Sequence, residues 1–279
     1  PARARGIAQS TGGRTIDTLA SIVADRRALH RIPEIGYDLP KTRAYIQAAM
    51  SQLHPDEIRE VADGMIYVFH APEGGKDAIA FRADMDALEI AENTGLEFAS
   101  THPGQMHACG HDIHAAVLYG TLLRLSAERN FEGTLFGIFQ PGEESNPGGA
   151  SKVLAENPFE GYTVLAVVGE HVEPALDAGT LGFRAGKYMA SNDELRLTLE
   201  GAGGHAAMRA EHRDTVSAAA QLILHLTALN TPERVVSIGK VEAAGATNVI
   251  PDGDYMEGTM RTFDERERAE VKRRIEELA

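Results

Sequence analysis

TLFGIFQPGEES, residues 134–145, sets seven uncharged, mostly apolar residues against a Pro-Gly turn and two adjacent glutamates. An uninterrupted run rich in aromatic and branched side chains suits a strand buried on both faces, as in parallel sheets. Pro141-Gly142 ends the run. The stretch therefore predicts a central strand whose carboxyl end delivers Glu143 and Glu144 into a loop. Two other runs repeat the pattern. AIAFRA (78–83) leads into Asp84-Met85-Asp86, and VLAVV (164–168), read as another buried parallel strand, leads into Gly169-Glu170-His171.

Around these runs the chain alternates. MIYVFHA (65–71) reads as a strand joined to AIAFRA by the turn-rich PEGGKD. Residues 112–129 carry Ile113, Ala116, Val117, Gly120 and Leu123 at helical spacing. Residues 14–31 and 40–53 read as helices on either side of the Pro-marked loop RIPEIGYDLP. The alternation implies an α/β fold, a mixed, largely parallel sheet flanked by helices. Ligands gather at the carboxyl ends of strands in such sheets, so the three acidic or histidine-bearing loops should converge there with Cys109 and His111.

The pattern changes after GKYMAS (186–191), which predicts two domains, 1–185 and 186–279. DELRLTLEG (193–201) alternates as a half-exposed strand. A helix (214–230), strands near 234–242 and 255–263, and a helix N-capped by Asp264 follow. That β-α-β-β-α order is one strand short of the ferredoxin-like α+β unit. The expectation is a second domain that lacks its last strand.

Composition excludes some partners. A net charge of −14 argues against nucleic acid, which requires clustered Lys and Arg. No apolar run approaches the roughly 20 residues of a membrane helix. The N-terminal PARARGIAQSTGGRT has no secretory core, and a single cysteine allows no internal disulfide, so the expected location is cytoplasmic.

That single cysteine sits in MHACGHDIH (106–114), among His107, His111 and His114. A lone buried cysteine needs no function. Histidines crowded around it on a Gly-containing loop point instead to a metal, for which Cys109 and His111 with a Glu and His171 at strand ends make a mixed S/N/O donor set. Such sets suit zinc and accept other first-row divalent ions. Glu143 and Glu144 would divide the work, one binding metal and the other moving protons. Asp84, Asp86 and Asp112 are expected to orient ligands or close turns rather than bind metal.

RADMDAL (82–88), MHACGHDIHAA (106–116), QPGEES (140–145), GEHV (169–172), GGHAA (203–207), TNVIPD (247–252) and GTMRTF (258–263) occur in the order and approximate spacing of the M20 metallopeptidase family. Over roughly residues 20–279 the chain most resembles its amidohydrolase branch, which hydrolyses N-acyl amino acids, hippurate and auxin conjugates. The resemblance implies a zinc-peptidase-like catalytic domain holding two divalent ions (Zn, Mn or Co), with an inserted lid that forms homodimers. It makes Cys109, His111, Glu144 and His171 the metal ligands and Glu143 the general base. It makes His205 the group that polarises the scissile carbonyl, with Asn248 and Arg261 holding the substrate carboxylate. The implied reaction is attack of a metal-activated water on a small-molecule N-acyl amino acid. A dipeptidase or carboxypeptidase-like member is the alternative, as is an inactive remnant that binds metal or dimerises. Glu89 stands where the family usually has Pro, Glu170 precedes His171, and the Pro-His usual after GGHAA is absent, departures that bear on substrate preference. The family's last metal-binding His has no counterpart here, so the chain is expected to be C-terminally truncated.

Overall fold

The computed structural model describes residues 18–208 and 211–279. Residues 14–17 of the expected first helix, and the N-terminal stretch read as lacking a secretory signal, lie outside them. The chain divides into two compact units, residues 1–177 and 178–279. Among the described residues no helix is long and apolar enough to cross a membrane.

The first unit runs α1 (Thr18–His30), α2 (Pro40–Ser51), β1 (Glu57–Val61), β2 (Gly64–His70), β3 (Asp77–Asp84), α3 (His111–Glu128), β4 (Thr134–Gln140), α4 (Gly149–Ala155) and β5 (Thr163–Gly169). Its strands form one sheet in the order β1-β2-β4-β3-β5. β3 lies parallel to both β4 and β5, whereas β2 runs antiparallel to β4 and β1 to β2. This is the mixed sheet flanked by helices that the alternation of runs implied.

Both faces of the sheet centre are covered, which is why β2 and β4 read as unbroken apolar runs. Met65, Tyr67, Phe69 and Phe139 pack with Leu39, Met50, Leu118 and Leu122 of the helical layer. Ile66, Val68, Phe136 and Ile138 point the other way, toward Val153, Phe159 and Tyr162. Alternate residues of one strand thus serve two cores. Gly137 lets α3 approach closely, because a Cβ there would sit 2.3 Å from Leu122 Cδ1.

One sequence expectation needs correction. VLAVV is parallel but not buried. Leu165 is 65% exposed and Val167 59%, and β5 is an edge strand with β3 as its only neighbour among the described residues. α3 forms where the helical spacing predicted it. Of the spaced residues Ala116 and Gly120 are buried and Val117 is exposed, and His111, His114, Ala115, Leu118 and Leu122 complete the buried side. β1 and α4 were not legible, one being a short charged strand and the other a helix of only 7 residues.

The second unit runs β6 (Ser191–Glu200), β7 (Gly204–His205), α5 (Thr215–Thr227), β8 (Arg234–Ala243), β9 (Val249–Ile250), β10 (Gly253–Thr262) and α6 (Glu265–Leu278). β10 lies antiparallel between β6 and β8, and β7 pairs with β9. Ala219, Leu222 and Leu226 of α5 and Val271 and Ile275 of α6 meet Val236, Met256 and Met260 in the core. Asp214 and Asp264 cap the two helices, accepting from the Ser217 and Arg266 amides.

Asp193 fastens β6 to α6. It takes a forked bond from Arg268 (2.7 and 2.8 Å) and a third contact from Lys272 (2.7 Å). The Arg268 guanidinium, despite partial burial of the carboxylate, holds Asp193 down at about 2. A depressed carboxylate stabilises the fold above its unfolded pKa near 4, and loses that contribution as pH falls through about 2. With Lys272 half exposed, screening discounts the network to on the order of 1 kcal/mol. Asp193→Asn should therefore lower the urea midpoint at pH 7, and the gap from wild type should close between about pH 4 and pH 2. A gap unchanged at low pH would refute the assignment.

Candidate metal centre

The carboxyl ends of β3, β4 and β5 lie side by side, with Asp84 opposite Gln140 and Arg82 opposite Gly169. α3 starts at the same edge. Its N-cap, Gly110, has φ +96°, and a Cβ there would lie 2.5 Å from Val172 Cγ2. Only glycine meets both demands, and the turn it makes brings Cys109 and His111 to the strand ends.

Asp86 organises the loop after β4. Its two carboxylate oxygens accept the Glu143 and Glu144 amides at 2.9 and 3.0 Å. Its carbonyl accepts from His111 Nδ1 at 2.8 Å. A carbonyl only accepts, so Nδ1 carries the proton and Nε2 is the nitrogen turned to the site. That Nε2 is buried and has no hydrogen-bond partner. It faces Asp84 Oδ2 at 3.7 Å, Glu143 Oε2 at 3.7 Å and Glu144 Oε1 at 3.8 Å.

The titratable groups respond to this crowding. Burial raises Glu143, and the charge of Glu144 adds to it. Burial opposes a charged His111, but Asp86, Asp84 and Glu143 outweigh it and raise the imidazole. Burial pushes the Cys109 thiol up to about 12, with Glu144 reinforcing it. Burial would also raise Asp84, yet the hydrogen bond from His114 and the charge of Arg82 hold it at about 2. Negative charge in the pocket outweighs positive.

A metal ion answers that deficit. Cys109 Sγ lies 3.3 Å from His171 Nε2, and the set Cys109, His111, His171 has its donor atoms within 4.8 Å of one another, as does His111, Glu143, Glu144. Donors bonded at 2.0–2.3 Å to a tetrahedral ion stand roughly 3.3–3.8 Å apart, so these side chains need little rearrangement to close on one. A third set, Asp84, His111 and His114, is less available, because His114 spends both nitrogens on protein partners. Asp112, expected among the orienting residues, turns to α1, accepting from His30 Nδ1 at 2.8 Å and forming an ion pair with Arg26, whose Nε is 2.8 Å away.

The remaining expected site residues belong to the second unit. His205 pairs with Val249, and the Asn248 carbonyl accepts the Ala206 amide at 2.9 Å, so His205 and Asn248 share the β7–β9 ribbon. The Ala207 amide donates to His205 Nδ1 at 3.2 Å, leaving Nε2–H as an outward donor. Arg261 is exposed near the other end of β10, roughly 25 Å from Gly253 by strand rise. One copy of the unit does not bring Arg261 to the ribbon. His114, from sequence alone a residue that either supports the metal ligands or packs the helix, lies one turn beyond His111 on the buried side of α3.

A strand-end cluster of thiol, imidazole and carboxylate donors on this fold suits a metal-dependent hydrolase. Residues 80–265 match the model of peptidase family M20/M25/M40, and the chain belongs to that family. It is 39% identical to the N-acetyldiaminopimelate deacetylase of Bacillus velezensis, over 92% of this chain and 70% of that one. It is 36% identical to the N-acetyl-L-cysteine deacetylase of Bacillus subtilis, over 91% of this chain and 62% of that one. A dinuclear metal binding peptidase of the M20 family from Bacillus subtilis superposes with a TM-score of 0.77 at 36% identity, covering 94% of this chain and 69% of its own.

Cys109→Ala should lower metal stoichiometry by at least one ion per chain in elemental analysis. Chelation should lower the thermal midpoint of wild type more than that of the variant, because metal binding couples to folding. Equal stoichiometry in folded variant and wild type would remove Cys109 from the donor set.

Proposed function

We propose that the protein hydrolyses the amide bond of N-acyl amino acids, N-acetylated ones foremost, with two divalent ions held by Cys109, His111, Glu144 and His171. The observation that carries this is the buried, unpartnered Nε2 of His111 among three carboxylates and beside a Cys–His pair. The relatives' substrates, N-acetyldiaminopimelate and N-acetyl-L-cysteine, support the acetyl preference. Zinc, manganese or cobalt suits the donors. Such ions, when bound, acidify water and polarise a carbonyl.

Glu143 serves as the base. Burial and the charge of Glu144 raise it, which favours holding a proton between its removal from water and its delivery to the leaving amine. The Asp86 bonds to both loop amides aim the two glutamates, so that one side chain can bind metal while the other moves protons. His205 Nε2–H donates to the oxygen that gains charge, and Asn248 and Arg261 hold the substrate carboxylate.

Residues 1–185 form the catalytic part and 186–279 a lid that dimerises. The distance along β10 between Arg261 and the His205–Asn248 ribbon supports this, since one small substrate cannot reach both within a single copy. His205 and Asn248 of one protomer would then act with Arg261 of its partner. The acidic, single-cysteine composition suits a small-molecule enzyme of the cytoplasm.

Glu143→Gln should keep metal and lose roughly 10²–10⁴-fold in turnover of an N-acetyl amino acid, whereas Glu144→Gln should lose metal. Identical metal contents in the two variants would overturn the division of labour. Unblocked dipeptides should be poor substrates, and a preference for them would overturn the substrate class. Mixing inactive His205→Ala with inactive Arg261→Ala should restore about a quarter of wild-type activity, because half the random dimers carry one intact site of two. No restoration in mixtures shown to exchange subunits would refute the shared site.

A further inference from the structure

We propose that His114 is a positioning residue. It holds the backbone of Val172 by its amide, so that the carbonyl of the same residue keeps the His171 proton on Nδ1 and a bare Nε2 is presented beside Cys109. The proposal rests on the reading of Cys109 and His171 as metal ligands, and extends it to a side chain that would touch neither metal nor substrate.

His114 is 1% exposed, one helical turn beyond His111. Its Nδ1 lies 2.7 Å from Asp84 Oδ1, and its Nε2 accepts the Val172 amide at 3.0 Å. A backbone N–H can only donate, so Nε2 is unprotonated and the proton sits on Nδ1, facing a carboxylate that can only accept. The tautomer is set from both sides. Asp84 is itself anchored by Arg82 Nη1 at 2.7 Å, and Arg82 Nε by Gln140 Oε1 at 2.8 Å. A continuous line of hydrogen bonds thus runs from β4 through β3 and α3 to the peptide after His171.

Val172 passes the constraint on through its own backbone, since the amide held by His114 and the carbonyl facing His171 belong to successive peptide units joined at its Cα. The Val172 carbonyl lies 2.8 Å from His171 Nδ1 and can only accept, so His171 carries its proton on Nδ1. The remaining nitrogen, Nε2, is 3.3 Å from Cys109 Sγ, where the thiol can donate to it. His171 is exposed and follows the end of an edge strand, so burial does not fix its ring. Its constraints are the Val172 carbonyl and an edge-on contact with the His114 ring at 4.7 Å. Val172 is pinned twice, by His114 at its amide and by Gly110 against its side chain. Without the acceptor on His114 the Val172 backbone loses the anchor at its amide, its carbonyl can turn away from Nδ1, and His171 becomes free to place its proton on Nε2, where it blocks a metal. Groups that orient a ligating histidine in this way typically contribute 10–100-fold to metal affinity.

The test has two readouts. Long-range ¹⁵N–¹H spectra of the full metal-free chain, labelled at histidine, report which nitrogen of each ring is protonated. Titration with Co²⁺ reports affinity through the thiolate-to-cobalt absorption of Cys109. Wild type should show both His114 and His171 protonated on Nδ1. His114→Phe keeps the ring but loses both bonds, and should shift His171 toward Nε2–H and weaken Co²⁺ binding by about 10–100-fold. His114→Asn, which can reach Asp84 but not Val172, should behave like the Phe variant. His114→Gln, long enough to accept from Val172, should recover most of the affinity. A wild-type His171 protonated on Nε2 would overturn the proposal without any variant, so it stays testable even if His114→Phe fails to fold. A folded Phe or Asn variant with wild-type affinity would overturn it as well. Wild type that binds no Co²⁺ while showing the expected tautomers would instead sink the ligand reading alone.

Discussion

His111 Nε2 lies buried with three carboxylate oxygens 3.7–3.8 Å away, and much of the first unit serves to keep it there. Crowding like charge into a half-buried pocket is unfavourable without a counter-charge. A proton on His111 can supply one in the absence of metal, and the raised affinity of that imidazole for protons reflects the demand. A divalent ion supplies more. The same features that make the pocket costly as an empty arrangement therefore make it a binding site.

The architecture brings this about by alignment. Three parallel strands end level with one another, and each is followed by a loop carrying acids or a histidine. Backbone hydrogen bonds then refine the placement. Asp86 binds the amides of both loop glutamates and the ring of His111, so one buried side chain and its carbonyl relate the loop after β4 to the start of α3. Asp84 does the corresponding work on the other side through His114. The two aspartates of Asp84-Met85-Asp86 thus organise opposite flanks of the centre.

The second unit follows different rules. Its three-stranded sheet carries helices on one face and polar residues such as Glu194, Arg196 and Arg261 on the other. Its candidate substrate contacts are exposed and lie at separated positions, and no buried polar network holds them together as Asp84 and Asp86 hold the metal donors. Ion pairs such as Asp193 with Arg268 fasten helix to sheet instead.

Much of this was legible in the sequence, because the sheet is buried on both faces and leaves long apolar runs bounded by Pro and Gly. β2, β3, β4, α2 and the order of the longer elements in the second unit follow from period and punctuation, whereas the two-residue strands β7 and β9 do not. The Cys-Gly-His stretch and the acidic strand ends mark the chemistry through residue type alone. What the sequence could not show is which face of α3 turns inward. The answer depends on His111 and His114 finding Asp86 and Asp84, partners 25 and 30 residues away. Nor could it show that VLAVV is an edge, since exposure of a strand depends on its neighbours and not on its own composition. The sequence by itself determined that acids, a thiol and imidazoles would gather at strand ends. Only the tertiary structure decided which nitrogen of each histidine faces the pocket, because hydrogen bonds to backbone groups, long-range ones for His111 and His114, choose the tautomer.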